Sequence, residues 1–89
     1  MSMDMKEAEK RLLERLMEDF YQLSLPDRMI AMLCMESVSQ VERWRMQRDY
    51  PPNDPEMPLN PKTGRPFSQS ELERAIDRIV RRHWPEVQA

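Results

Sequence analysis

Residues 36–52 read Glu36-Ser37-Val38-Ser39-Gln40-Val41-Glu42-Arg43-Trp44-Arg45-Met46-Gln47-Arg48-Asp49-Tyr50-Pro51-Pro52, and the fold turns on whether a new helix begins inside them. Ser37 and Gln40 have the S-x-x-Q spacing of a capping box, in which two side chains satisfy free N–H groups at a helix start. Val41 and Trp44, three apart, then share one helical face. Arg43, Arg45 and Arg48 spread over the remaining surface, with Glu42 and Asp49 beside them. Tyr50-Pro51-Pro52 is the expected stop, because proline has no N–H to extend the helix. A short helix with an apolar anchor inside and arginines outside suits a DNA major groove. It suits the last turns of an ordinary surface helix equally.

Upstream, Ser24-Leu25-Pro26-Asp27 reads as a helix start. Ser24 is a good N-cap, Pro26 is tolerated in a first turn, and Asp27 complements the positive end of the dipole. From Met29 to Met35 the chain is apolar on nearly every side, which puts it at the centre of the fold or under a partner. Methionine fills irregular gaps and suits adaptable surfaces, so Met29, Met32 and Met35 are core filling first and a partner-binding face second. Between Met35 and Val38 two signals conflict. The Ser37/Gln40 box argues for a break, while the lack of Gly or Asn argues against one, because a tight helix end favours a residue tolerant of positive φ. The balance tips slightly towards one helix from about Leu25 to Asp49, roughly 37 Å long at 1.5 Å per residue. A helix-turn-helix over 25–49 is the alternative.

The flanks are plainer. Over residues 4–23, Met5, Ala8, Leu12, Leu16, Phe20 and Leu23 recur at spacings of three and four, widened by Leu13 and Met17. Such an amphipathic helix packs on its own core or forms a homodimer seam. On its polar side Glu7–Arg11 is an attractive i,i+4 pair and Glu14–Glu18 a repulsive one. Six of the eight prolines fall within 51–66, which excludes regular ladder pairing. That segment is expected to be an extended strap, tacked down by Met57 and Leu59, with a turn at Asn60–Gly64 where the sole glycine supplies positive φ. The last helix, 68–84, opens on a second capping box, Ser68/Glu71, with Phe67 and Leu72 as a hydrophobic staple. Leu72, Ala75, Ile76, Ile79, Val80 and Trp84 form its stripe, and Pro85 closes it. Arg74, Arg78, Arg81, Arg82 and His83 gather toward its C-terminal half, where cations suit the dipole.

The expected fold is therefore mainly α, one small domain over 1–89, with three to four helices and a long Pro-rich connector, a degenerate wing in form, before the last helix. Eighty-nine residues allow no large core. The formal charge of −2 counts against nonspecific nucleic-acid binding, which normally shows as a basic domain. Residues 1–25, with six acids and four bases, supply all of it. One cysteine, Cys34, excludes an internal disulfide and a Cys-rich zinc site and fits a cytoplasmic setting. The apolar run from Met29 to Met35 is far too short for a membrane span, and the acidic N-terminus does not resemble a secretory signal. A lone His83 makes neither a metal site nor a triad, and one glycine makes no phosphate cradle. No enzymatic role, cofactor or metal is expected.

One pattern goes further. Leu25-Pro26-Asp27, Ala31, Ser37-Val38-Ser39-Gln40-Val41-Glu42-Arg43-Trp44-Arg45, Tyr50-Pro51, Gly64-Arg65-Pro66-Phe67 and Ser70-Glu71-Leu72 follow one another in an order that resembles the small winged-helix regulators of the excisionase and AlpA class, relatives of MerR-type domains. The resemblance covers roughly 25–82 and implies a DNA-binding protein of a phage or mobile element. It implies Ser39, Gln40, Arg43 and Arg45 in or near the major groove, and Lys62 and Arg65 on a wing near phosphates. The chain departs from that class in lacking a glycine before the serine and in its long, proline-filled wing, which argues against a β-hairpin. Two functions follow. In one, a dimeric DNA-binding regulator reads bases and phosphates with Ser39, Gln40, Arg43, Arg45 and Arg48 while Arg78, Arg81 and Arg82 hold backbone phosphates. In the other, an acidic helical adaptor or inhibitor meets a protein partner through exposed Met29, Met32 and Met35 on one straight helix.

Overall fold

The structure, a computed structural model, describes residues 5–83, without the side chain of Met5. Trp84 and Pro85, expected at the end of the last helix, lie outside the described residues, as does the N-terminal stretch before Met5. The fold is mainly α: α1 (Met5–Gln22), α2 (Asp27–Cys34), α3 (Val38–Gln47) and α4 (Gln69–His83). Among the described residues the sole β-pairing is an isolated bridge.

The single helix favoured over 25–49 is not formed. The chain turns through Met35–Ser37, and the same device ends all three of the first helices. Ser24, Met35 and Asp49 have φ of 72°, 56° and 54°. One residue further on, an N–H reaches back five positions: Leu25 to Phe20 O at 3.2 Å, Glu36 to Ala31 O at 2.9 Å, and Tyr50 to Arg45 O at 3.1 Å. These are Schellman ends, which satisfy the last free carbonyls of a helix and usually place glycine at the left-handed residue. Ser24 therefore closes α1 rather than opening α2, whose N-cap is Pro26 without a side-chain bond. Asp49 closes α3 before the prolines are reached, so Pro51 and Pro52 are not what stops it.

The inner faces meet in one core. Leu16, Met17 and Phe20 of α1, Leu25 at the corner, Ile30, Ala31 and Cys34 of α2, Val41 and Trp44 of α3, and Ile79 of α4 are buried. Each large side chain among them contributes about 1.5–3 kcal/mol on leaving water. α1 packs on α2 and α4, and α2 on α3. The apolar α2 is thus mostly explained by the fold itself, with Met29 and Leu33 half-buried against this cluster and Met32 outside it.

The strap is held by polar bonds rather than by Met57 and Leu59, which are exposed. The Tyr21 hydroxyl donates to Pro51 O. The Asn53 amide donates to Tyr21 O at 3.0 Å and Leu25 O at 2.8 Å, and the Arg28 guanidinium to Pro55 O at 2.7 Å. Beyond it a minimal hairpin forms despite the prolines. Leu59 and Pro66 bridge antiparallel, Asn60 N donates to Arg65 O and Phe67 N to Pro58 O, so the prolines serve only as acceptors or bystanders. Gly64, φ 72°, closes the turn. In α4 both halves of the capping box are made: Glu71 N to Ser68 Oγ at 3.2 Å, Ser68 N to Glu71 Oε1 at 3.1 Å. No helix among the described residues is long and apolar enough to cross a membrane.

Candidate nucleic-acid interface

α2, the turn and α3 form two short helices joined by three residues. At the start of α3 the Ser37 hydroxyl accepts the Gln40 N–H at 3.2 Å, so the serine half of the box read from the sequence forms. Val41 and Trp44 bury one side of α3, leaving Ser39, Gln40, Glu42, Arg43, Met46 and Gln47 exposed. Arg43 and Gln47, four apart, lie on one face with Ser39 and Gln40 a turn earlier. Gln47 was not among the residues singled out by sequence. Its spacing from Arg43 was the signal available.

The other two arginines of this stretch do not project. Arg45 turns inward to Asp27 at the first turn of α2, with Nε 3.1 Å from Oδ1 and NH2 3.1 Å from Oδ2; the two side chains are only 12% and 15% exposed. Its NH1 also donates to Tyr50 O at 2.9 Å. This bidentate, charge-assisted clamp fixes α3 against α2. Arg48 lies over the Trp44 ring, 4.8 Å from the centroid, and spans Glu14 at 3.5 Å and Glu18 at 4.0 Å. It thereby relieves the Glu14–Glu18 repulsion expected on α1. Tyr50 stacks on Tyr21 at 4.6 Å and meets Trp44 edge-on. Its hydroxyl donates to Glu18 at 2.9 Å, a bond that raises its pKa above the ordinary tyrosine value.

The remaining expected contacts divide in the same way. Lys62 and Arg65 are exposed on the hairpin and Arg78 on α4. Arg81 pairs with Asp77 at 2.8 Å. Arg82 and His83 both reach Asp19 of α1, at 3.3 and 2.6 Å, so they fasten the end of α4. Of the methionines, Met32 and Met35 are 70% and 92% exposed, while Met29 is half-buried. Cys34 sits in the core with its thiol pushed up to about 11 by burial and, secondarily, by Glu36, far from the state of a reactive thiolate. Among the described residues no group of acids, histidine and cysteine could hold a metal ion.

No family model matches the chain, and neither a curated protein nor a solved structure matches it.

Proposed function

We propose that the chain is a small DNA-binding protein, a transcriptional regulator or excisionase-like factor, that presents α3 to the major groove. The observation that carries this reading is the pair α2–α3: joined by three residues, buried along the inner faces, and exposed and, apart from Val38 and Met46, polar along the outer face of the second helix. In a helix-turn-helix the second helix enters the groove with its N-terminal residues on base edges, while the first crosses the backbone. Arg43 then reads guanine O6 and N7, Gln40 and Gln47 read adenine, and Ser39 reads either base. Lys62, Arg65 and Arg78 contact phosphates, which positions the protein without specifying sequence. Arg45, Arg48 and Arg82 take no part in these contacts. Their partners are within the molecule: Arg45 and Arg48 hold the reading helix in place, and Arg82 fastens α4 to α1.

The test is enrichment from a random duplex pool at low salt, followed by anisotropy titration of the recovered sites. Arg43→Ala is expected to weaken the best site by about 1–3 kcal/mol, roughly tenfold to a hundredfold, and to relax choice at one base pair. Arg45→Ala is expected to lower folding stability by about 1–3 kcal/mol, because Asp27 is left without its partner. Failure to retain any duplex at low salt removes the proposal.

The adaptor reading retains Met32 and Met35 as exposed thioethers. It loses Met29 to the core cluster, and the straight helix it drew on is interrupted at Met35.

A further inference from the structure

The inward side of α3 and its C-cap is fixed by four residues. Val41 and Trp44 are buried, Arg45 is paired with Asp27, and Arg48 lies against Trp44 and the α1 acids. Helical spacing then sets the opposite side. Ser39, Glu42, Arg43 and Met46, at i, i+3, i+4 and i+7, share it, and all four are exposed. Three of them are polar. The fourth, Met46, is 68% exposed and takes no part in the core cluster. Val38, the other exposed apolar side chain of α3, lies about a quarter turn to one side.

A single apolar side chain in water is ordinary; what Met46 stands among is informative. Glu42 sits beside it, and a carboxylate repels phosphate oxygens. The exposed cations suited to phosphate, Lys62, Arg65 and Arg78, stand on other elements. This face of α3 is therefore better matched to base edges than to the DNA backbone. In the major groove a carboxylate accepts from cytosine N4, and an arginine donates to guanine O6 and N7. Base edges there carry one apolar group, the C5 methyl of thymine. Methionine, unbranched and polarizable, adapts to such a contact.

We propose that Met46 is a specificity-determining residue, its thioether packed on the C5 methyl of a thymine within about two base pairs of the guanine that Arg43 reads. The interval follows from geometry. Three residues of helix rise about 4.5 Å, and successive base pairs lie about 3.4 Å apart. The assignment rests on the DNA-binding reading and adds a base to the sequence it selects.

Duplexes recovered from the random pool, re-made with deoxyuridine in place of one thymine at a time and titrated by anisotropy, test it. Uracil pairs as thymine does and lacks only the methyl. One such change, near the base pair whose choice Arg43→Ala relaxes, should weaken binding about fourfold, the worth of one methyl group taken out of water. Met46→Ala should weaken the thymine duplex by about the same factor and should no longer distinguish thymine from uracil at that position. Urea melts of this variant should match the parent, since Met46 lies outside the core. A penalty for uracil that persists unchanged in Met46→Ala overturns the proposal. So does the absence of any penalty at thymines near the Arg43 position, or a preferred site with no thymine there. Each of these leaves the DNA-binding reading standing, whereas retention of no duplex at low salt removes both.

Discussion

Met35 carries its backbone at φ 56° and ψ 40° with its side chain almost wholly in water. A non-glycine residue there costs about 1–2 kcal/mol in left-handed backbone, and nothing the side chain touches offsets it. Met35→Gly removes that strain and adds some unfolded-state entropy, which cancels part of the gain. The expected net effect is a stabilisation of about 0.5–1 kcal/mol by urea denaturation, with DNA affinity unchanged. Equal or lower stability would mean that the thioether has a folded-state contact after all. One position earlier, Cys34 bears a thiol raised to about 11 by burial. The folded pKa lies above the unfolded one, so burial of the neutral thiol contributes fully below about pH 8.5. That contribution is lost as pH climbs toward 11. Iodoacetamide at mildly alkaline pH should therefore label Cys34 slowly in the native protein and quickly in urea. Equal rates would place the thiol outside the core.

α4 shows how local its own determinants are. Its capping box, the described part of its stripe and its terminal arginines all lie within fifteen residues of one another, and each was readable in order. Ser68→Ala is expected to cost about 1 kcal/mol. Glu71 is held below the usual carboxylate range, chiefly by the Ser68 backbone N–H. A depressed folded pKa contributes stability that is present above the unfolded value and lost as pH falls through the folded one. Wild type should thus lose part of its stability between about pH 5 and pH 3, and Glu71→Gln should show a smaller loss in the same urea melts. The α2–α3 break was harder to read for a physical reason. The sequence rule looks for glycine at a left-handed helix end, and Ser24, Met35 and Asp49 each take that conformation without it. The inward turn of Arg45 was equally hidden. Its partner Asp27 stands eighteen positions away, and only the α2–α3 packing brings the two together. The exposure of Ser39 and Arg43, by contrast, was legible, because helical spacing alone puts them opposite Val41 and Trp44.

Across the whole molecule, charge limits how DNA could be held. The net charge is −2, and Arg45, Arg48, Arg81 and Arg82 are committed to acids of the same chain. Lys62, Arg65 and Arg78 remain as exposed cations suited to phosphate. Each phosphate neutralised releases counterions and steepens the dependence of log K on log salt by about −0.9 for B-DNA. Three such contacts give a slope of about −3, shallow for a DNA-binding protein and in keeping with affinity that leans on base contacts from α3. Lys62→Ala, Arg65→Ala and Arg78→Ala should each reduce the slope by about 1 and weaken all sequences alike, whereas Arg43→Ala should weaken the preferred site most. Anisotropy titrations over a series of salt concentrations measure both quantities at once. A slope of about −6 or steeper would mean that further cations, those of α1 foremost, meet the duplex and that α3 is not the principal contact. A slope unmoved by all three substitutions would take the hairpin and α4 out of the interface and leave α3 to hold the DNA alone.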